Sequence, residues 1–348
     1  RMQKLSDEEK ELKEEINEGI KYMLKCRECK ECNGYACRGE IPGLGGKGTG
    51  SSFIRNVEAF KKIKLNLDVC ADAKEISTAC NILGMELSVP IFVAPIAGIN
   101  NNYGAELSDH DYTSMVLEGA EKAGIRAFTG DGIDVNGLFK ESAEAIDEHN
   151  GHGIVTMKPW VQEGIDERVE ILKSLHFDML AMDVDSAGLP LLRAGKTPVE
   201  TKNIEALRYV REKVGKPFIV KGVMTVHGAL AALESGANGI VVSNHGGRVL
   251  DETRATVEVL PEIVEAVNGR MTILIDGGIR TGRDIYKCLA LGADGVLIGR
   301  PLALASVKGG AKGLEDKVNA LKNELSDAML MTGKHTIKEI SKQDIYME

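Results

Sequence analysis

The chain has 348 residues, of which 43% are hydrophobic, and its formal net charge at pH 7 is −9. The negative charge disfavours nucleic acid and anionic membranes as partners, and no apolar run reaches the roughly 18 residues that a membrane span needs. The seven cysteines are an odd number, and four are crowded between residues 26 and 37. This pattern indicates a reducing compartment. We therefore expect a cytoplasmic protein with no secretory signal.

The N-terminal residues 1–52 differ in composition from the rest of the chain. Residues 5–25 predict a charged amphipathic helix. Residues 26–52 are rich in Cys and Gly, and their stretch IPGLGGKGTGSS predicts a loop. We treat residues 1–52 as an N-terminal segment and residues 53–348 as the main domain.

From residue 90 onward, short apolar runs alternate with helical stretches. Such runs are typical of parallel strands that are buried on both faces. The eight runs are PIFVAPIAG (90–98), IRAFTG (125–130), GIVTMKPW (153–160), DMLAMDVD (178–185), PFIVKGV (217–223), GIVVSN (239–244), TILIDGG (272–278) and GVLIGR (295–300). Eight such units favour a closed (β/α)8 barrel over a doubly wound open sheet.

Polar side chains follow these predicted strands at their carboxyl ends, where barrel enzymes carry their chemistry. Any one of them alone could be an ordinary surface residue. Their shared position predicts a single site at the mouth of the barrel. They are Lys158, Asp183, Asp185, Lys221, His245, Arg248, Asp276, Arg280 and Arg300.

The last two predicted strands end in the glycine-rich sequences IDGGIRTG and IGRP. Glycines let a backbone approach an anion, and arginines pair with a phosphate through two N–H groups. An ordinary Gly-rich turn would explain either motif alone. The two together predict that Arg280 and Arg300 bind the phosphate of a cofactor or of a phosphorylated substrate.

The segment SNHGGRVLD, after the sixth predicted strand, presents His245 and Arg248 to one cavity. An imidazole accepts a proton near neutral pH, and a guanidinium binds a carboxylate. A lone histidine at a strand end is more often structural, but Arg248 beside it and Asp185 as its candidate partner favour a catalytic base. Lys221 places a positive charge over the barrel mouth.

These motifs resemble the FMN-dependent 2-hydroxy-acid oxidase and dehydrogenase family, which includes glycolate oxidase and lactate oxidase. The similarity is most specific over residues 221–301, where KG, SNHGGRxLD, LPEI, DGGIRTGxDxxKxLALGA and IGRP occur in the family's order. The resemblance implies FMN as cofactor, a small 2-hydroxy acid as substrate and a homo-oligomer, a tetramer in the family. The electron acceptor is left unknown.

The resemblance also implies roles for individual residues. His245 would take a proton from the substrate, and Asp185 would orient and stabilise its imidazolium. Arg248 would bind the substrate carboxylate, and Lys221 would lie at the N1 and O2 edge of the flavin. The further residues implied at the cofactor are Pro95, Ile96, Ala97, Thr129, Lys158, Asp183, Ser243, Asp276, Gly278, Arg280, Gly299 and Arg300.

Departures from the family pattern concern the surroundings of the flavin and the substrate. Lys158 and Asp183 stand where the family has glutamine and threonine. Trp160 stands where a tyrosine would touch the substrate carboxylate, and Tyr35 is the candidate for a second such tyrosine. The stretch 186–220 is shorter than the family's lid-bearing segment, and Arg193 is the candidate for the lid's arginine. We therefore expect retained chemistry in a rebuilt substrate site.

Three other functions fit parts of these motifs. An FMN-dependent isomerase of the type 2 isopentenyl diphosphate isomerase kind would keep the phosphate motifs without the base, but His245 three residues before Arg248 argues against it. An enzyme resembling inosine monophosphate dehydrogenase needs a nucleophilic cysteine near the sixth strand, where this sequence has none. A flavin-binding protein without catalysis would not need His245, Arg248 and Lys221 together.

The cysteines Cys26, Cys29, Cys32 and Cys37 have the spacing C-x2-C-x2-C-x4-C. The first three match an iron–sulfur run, while the last interval is one residue longer than in the ferredoxin pattern. Four thiolates can also enclose zinc. We therefore consider an iron–sulfur cluster, a zinc ion or free surface thiols, none of which the family resemblance requires.

Overall fold

The computed structural model describes residues 25–41, 43–72, 75–195 and 197–348. Apart from Lys25, the helix predicted for residues 5–25 lies outside the described residues. The helices are α1 (Ser51–Lys61), α2 (Ile99–Tyr103), α3 (Asp109–Ala123), α4 (Glu141–Glu148), α5 (Gln162–Leu172), α6 (Pro190–Arg193), α7 (Ile204–Val214), α8 (Val226–Glu234), α9 (Thr256–Val267), α10 (Gly282–Ala290) and α11 (Arg300–Leu330). Gly310 breaks the helical geometry inside α11. No helix in these ranges is long and apolar enough to cross a membrane.

The strands comprise a barrel and two small antiparallel pairs. They are β1 (Ile63–Leu65), β2 (Cys80–Ile82), β3 (Met85–Leu87), β4 (Ile91–Val93), β5 (Arg126–Ala127), β6 (Ile154–Met157), β7 (Met179–Asp183), β8 (Phe218–Val223), β9 (Gly239–Val242), β10 (Thr272–Ile275), β11 (Gly295–Ile298) and β12 (Ile345–Met347). The pairs are β1 with β12 and β2 with β3.

Eight parallel strands form the barrel, in the order β5-β4-β11-β10-β9-β8-β7-β6. A parallel bridge between Phe128 and Ile154 joins the two ends of this sheet. There the Thr129 amide donates to the Ile154 carbonyl at 2.9 Å. The predicted (β/α)8 barrel is therefore confirmed, and each of the eight predicted runs contains one of its strands.

Successive residues of the barrel strands pack into two separate cores. In β9, for example, Ile240 and Val242 belong to the core shared with the helices, whereas Val241 belongs to the other. Since side chains alternate across a strand, the second core fills the barrel. It includes Phe92, Ile154, Ala181, Ile219, Val241, Leu274 and Leu297, with Ile82, Met85 and Leu87 of the β2–β3 hairpin.

The same alternation explains the polar residues at the mouth of the barrel. Two positions after an inward-facing apolar residue, the strand again points inward. Asp183 lies two positions after Ala181, Lys221 two positions after Ile219, and Asp276 two positions after Leu274, so all three charged side chains point inward. The barrel therefore ends in a layer of charged side chains at its carboxyl end.

The N-terminal segment before α1 is fixed to the loops at this mouth. The Lys47 ammonium donates to the carbonyls of Gly188 at 2.9 Å and Val249 at 2.7 Å. The Asp251 carboxylate accepts from the backbone amides of Thr49 at 2.6 Å and Ser51 at 3.1 Å. The glycine-rich loop thus packs over the loops that follow β7 and β9.

Helix α10 meets α11 at Gly282, where a Cβ atom would lie 2.3 Å from the Leu325 amide nitrogen and 2.5 Å from the Leu321 carbonyl oxygen. We expect Gly282→Ala to lower the free energy of unfolding by roughly 1–3 kcal/mol because backbone atoms must move. Gly309→Ala in α11 is the matched control, since a Cβ there meets nothing within 4 Å. Urea midpoints measure both, and equal midpoints would contradict this packing.

Candidate active site

A cavity of about 480 Å³ opens at the carboxyl ends of the barrel strands. Residues from both the early and the late strands of the chain share its wall. The sequence-predicted residues that line it are Pro95, Ile96, Ala97, Lys158, Asp183, Lys221, His245, Arg248, Asp276, Gly278, Arg280, Gly299 and Arg300. The structure therefore brings together the strand-end residues that the sequence singled out, with Asp185 directly behind His245.

A buried ion-pair network forms the floor of this cavity. The Lys221 ammonium lies 2.8 Å from Asp183 Oδ1 and 3.6 Å from Asp276 Oδ2. The Lys158 ammonium lies 3.4 Å from Asp183 Oδ2 and donates to Ser186 Oγ at 2.9 Å. Burial alone would lower the pKa of Lys221, but Asp183 and Asp276 raise it above its usual value. Lys221 therefore carries its charge near neutral pH.

The imidazole of His245 lies against two carboxylates. Its Nδ1 is 2.9 Å from Asp185 Oδ1 and 3.5 Å from Asp183 Oδ2. Burial lowers the pKa of His245 well below its usual value, and the charges of Lys221 and Lys158 lower it further, with Asp183 opposing them. The ring is therefore neutral near pH 7. With Nδ1 facing the acids, Nε2 is the nitrogen that remains for a substrate proton.

The two carboxylates beside His245 differ in how readily they ionise. Burial opposes ionisation of Asp183, but the cations around it hold its pKa well below the usual value. Burial raises the pKa of Asp185 well above its usual value, and the ionised Asp183 nearby raises it further. Asp183 is thus the anion that balances Lys221, and Asp185 is the harder of the two acids to ionise. With an ammonium at each oxygen of Asp183, these acids do not form a cation site.

The turn that carries His245 has an unusual backbone. Three consecutive residues have positive φ, 56° at His245, 61° at Gly246 and 81° at Gly247. This conformation is uncommon for a residue with a side chain, and such strain is concentrated at functional sites. A Cβ on Gly247 would lie 2.4 Å from the Phe53 amide nitrogen, so glycine allows α1 to pack directly on the turn. Ser243 supports it by accepting from the His245 amide at 3.1 Å.

The far end of the cavity is built for an anion. Arg280 and Arg300 line it, and α11 begins there with no side chain capping the turn at Gly299. Uncapped N–H groups at a helix start attract negative charge. The guanidinium groups are held by the N-terminal segment, because Arg280 donates to the Cys32 carbonyl at 2.9 Å and Arg300 to the Leu44 carbonyl at 2.7 Å.

Trp160 does not take the position expected for it at the substrate. It is 2% exposed and is not among the described residues of the cavity wall. Its Nε1 donates to Asp131 Oδ2 at 2.6 Å, and the Arg168 guanidinium lies 4.3 Å from its ring centroid. Asp131 also accepts from the Lys158 amide at 2.8 Å. Trp160 is thus part of a buried network that positions Lys158.

Four further residues that were predicted to contact the cofactor or the substrate do not line the cavity either, as far as the structure describes its wall. Tyr35 is 49% exposed and stacks with Arg38 at 4.8 Å. Arg193 is exposed at the end of α6. Thr129 and Ser243 are buried beside the strand ends, where Ser243 supports the His245 turn. The first two are therefore not positioned as a carboxylate-binding tyrosine and a lid arginine.

The four cysteines of the N-terminal segment line a second cavity, of about 670 Å³. It adjoins the first, and the two share part of their walls. The shared residues are Leu44, Tyr103, Gly278, Arg280 and Arg300. The thiols are therefore next to the anion end of the barrel site.

Comparisons with known proteins identify the barrel. A family model described as FMN-dependent dehydrogenase matches residues 44–196 and 192–347. The chain belongs to this family. A peroxisomal (S)-2-hydroxyacid oxidase of Arabidopsis thaliana is 30% identical over 84% of this chain and 87% of its own length. L-lactate oxidase of Lactobacillus jensenii is 32% identical over 83% of this chain and 76% of its own.

The fold comparison agrees with the sequence comparison. A solved mandelate oxidase variant with a monooxide FMN adduct has a TM-score of 0.72 and 27% identity, over 90% of this chain and 98% of that one. The predicted family, oxidoreductase class and FMN cofactor are thereby confirmed.

The cavity fits FMN, the cofactor of this family. Buried polar atoms without a partner among the described residues, Thr156 Oγ1 and Asp276 Oδ1, belong to residues that line it. A polar flavin edge and ribityl chain supply partners for such atoms. Arg280, Arg300 and the start of α11 would hold the phosphate, and Lys221 would place positive charge at the flavin.

Asn102 and Tyr103 are polar residues of the wall that were not found from the sequence. Asn102 accepts from Arg248 Nη2 at 3.2 Å, while Nη1 donates to the Gly43 carbonyl. Tyr103 is buried, and burial raises its pKa to about 12. Both residues lie in α2, directly after the predicted strand PIFVAPIAG. The strand-end rule applied to that first strand would have pointed to them.

Replacing Arg280 or Arg300 with alanine removes a charge-assisted contact to the FMN phosphate, worth roughly 1.5–3 kcal/mol. We expect each variant to bind FMN about ten- to a hundredfold more weakly. Arg270→Ala is the matched control, because Arg270 donates to the carbonyls of Val267 and Ala266. Fluorescence titration of the apoprotein with FMN measures the affinities. Unchanged affinity in both variants would refute the assignment.

Proposed function

We propose that this FMN-dependent dehydrogenase oxidises a 2-hydroxy acid to the 2-oxo acid, with His245 as the base. The observation that carries the proposal is the neutral, buried imidazole of His245, which lines the same cavity as Arg248. Two relatives, a (S)-2-hydroxyacid oxidase and an L-lactate oxidase, act by name on such acids.

Each residue at the mouth has a distinct task in this proposal. Arg248 binds the substrate carboxylate, exchanging its contacts with the Gly43 carbonyl and Asn102 for it. His245 Nε2 takes a proton from the substrate. The positive charge that forms on the ring is stabilised by the Asp183 carboxylate 3.5 Å from Nδ1. When bound, FMN would supply the acceptor for the remaining hydrogen and its electron pair, which leave the substrate as a hydride equivalent.

Asp185 orients the base from the side of its ring that faces away from the cavity. Its Oδ1 is 2.9 Å from His245 Nδ1, which fixes the ring so that Nε2 faces the cavity. Gly222 makes this approach possible, since a Cβ there would lie 2.7 Å from Asp185 Cβ. Lys221 next to it would place positive charge where the flavin binds, and such a charge would favour reduction of the cofactor. The isomerase alternative would not need His245 as a base.

His245→Ala should keep FMN bound but slow anaerobic flavin reduction by about 10²–10⁴, which is the usual contribution of a positioned base. His227→Ala is the matched control, because this exposed histidine of α8 is outside the cavity. Stopped-flow bleaching of the yellow protein by 2-hydroxy acids measures both. Normal reduction in His245→Ala, or no bleaching of the wild type by any acid, would refute the proposed function.

The substrate side of the cavity is apolar. Several aliphatic residues line it. They are Ile41, Ile133, Leu138, Leu189, Leu191 and Leu192. This lining supports a 2-hydroxy acid with an extended apolar side chain, because each buried CH₂ group contributes about 0.8 kcal/mol.

We expect kcat/KM for 2-hydroxyisocaproate or phenyllactate to exceed that for glycolate by at least about tenfold, from two or more buried CH₂ groups. Leu191→Ala should reduce this preference, because Leu191 lines the cavity. Leu230→Ala, on the outer helix α8, should not. Steady-state comparison across glycolate, lactate, 2-hydroxyisocaproate, phenyllactate and mandelate decides the matter. Glycolate as the best substrate would overturn the expectation.

The enzyme is further proposed to be a cytoplasmic homo-oligomer. All seven cysteines are free, which supports a reducing compartment. Large exposed apolar residues occur near the β1–β12 pair, where the Asp68 amide donates to the Met331 carbonyl at 3.1 Å. They include Leu67 and Val69. Such a patch supports contact with a second copy of the chain, which light scattering of the pure protein tests.

A further inference from the structure

The proposed chemistry uses none of the four N-terminal cysteines, although all four line one cavity of about 670 Å³. Cys26, Cys32 and Cys37 are half-buried, and Cys29 is exposed at the opening. Each half-buried end of the run, Cys26 and Cys37, is within electrostatic reach of both Cys29 and Cys32. Residues spread over twelve sequence positions are thus gathered around one space.

The sulfur atoms are not gathered as closely as a single zinc ion would hold them. A tetrahedral zinc ion holds its four sulfurs about 3.8 Å apart, given Zn–S bonds of about 2.3 Å. Among the described residues, the cysteines do not form a group whose sulfurs lie within 4.8 Å of one another. In an iron–sulfur cluster each thiolate binds a different iron, so the sulfurs are further apart. The C-x2-C-x2-C spacing is also the iron–sulfur one.

The surroundings of the thiols compensate for negative charge. Arg280 Nη2 lies 3.6 Å from Cys32 Sγ, and Arg300 lines the same cavity. The Glu28 amide donates to Cys26 Sγ at 3.5 Å, in a turn where Glu28 has a φ of 47°. Cationic groups and N–H donors around sulfur are the features that stabilise a cluster with four thiolates.

We propose that Cys26, Cys29, Cys32 and Cys37 bind a cluster of four irons and four sulfides in this second cavity. The cluster lies against the wall that carries Arg280 and Arg300, beside the phosphate end of the FMN site. It also fixes Cys32, whose carbonyl accepts from Arg280. This inference concerns binding alone, and it does not depend on which acid the barrel oxidises.

The test uses the full chain purified without oxygen. We expect about four iron atoms and four acid-labile sulfides per chain. After FMN is removed, a visible absorption band that dithionite bleaches should remain, together with a paramagnetic resonance signal in the reduced protein. Protein that lacks iron should regain these features with ferrous iron and sulfide. One equivalent of zinc in place of iron, or no metal even after this reconstitution, would overturn the proposal.

Variants connect the cluster to these side chains. Cys29→Ser and Cys37→Ser should each lose most of the iron, while Cys70→Ser, an exposed cysteine outside the run, should retain it. Full iron content in Cys29→Ser and Cys37→Ser would also overturn the proposal. If a cysteine variant fails to fold, the metal and sulfide analysis of the wild type still tests the proposal. Flavin bleaching by 2-hydroxy acids is measured separately, so the failure of one proposal is distinguishable from that of the other.

Discussion

The Lys221 ammonium and the Asp183 carboxylate meet at 2.8 Å, and each side chain is only 3% exposed. Removing one partner of such a buried pair is costly, on the order of 3–5 kcal/mol, because the other charge is left without compensation. The pair sets the electrostatics of everything around it. Burial and the charges of Lys221 and Lys158 lower the pKa of His245, and burial and the charge of Asp183 raise the pKa of Asp185. The base, its partner and the positive charge at the flavin therefore depend on one interaction between neighbouring strands.

That interaction follows from the geometry of the barrel. Asp183 and Lys221 are directly paired in register between β7 and β8, and both point inward because their strands alternate between the two cores. A neutral residue at position 183 would leave Lys221 without this counter-charge. The aspartate makes the mouth of this barrel more nearly charge-balanced, with Lys158 as a second cation at its other oxygen. Lys158 and Lys221 together thus compensate the carboxylates of Asp183 and Asp276.

The sequence predicted the features that depend on local order along the chain. Eight apolar runs and the strand-end rule were sufficient for the barrel and for the cavity residues from Lys158 to Arg300. The failures concern positions set by distant partners. Trp160 is buried because Asp131, 29 positions earlier in the chain, accepts from its indole, and Arg168 lies over its ring. The N-terminal segment packs over the barrel mouth through Lys47 and Asp251, and each of these residues bonds to a partner about two hundred positions away in the chain. No periodicity or spacing encodes such contacts.

The state of the base is measured most directly by the pH dependence of anaerobic flavin reduction in the wild-type protein. At low substrate concentration, the second-order rate constant reports ionisations of the free enzyme. Because burial and the neighbouring lysines lower the pKa of His245, we predict a constant rate as the pH falls from 8 to about 6.5, the ordinary histidine value. The rate should decrease only at lower pH. A base that titrates at or above that value would contradict the buried charge network proposed to control this site.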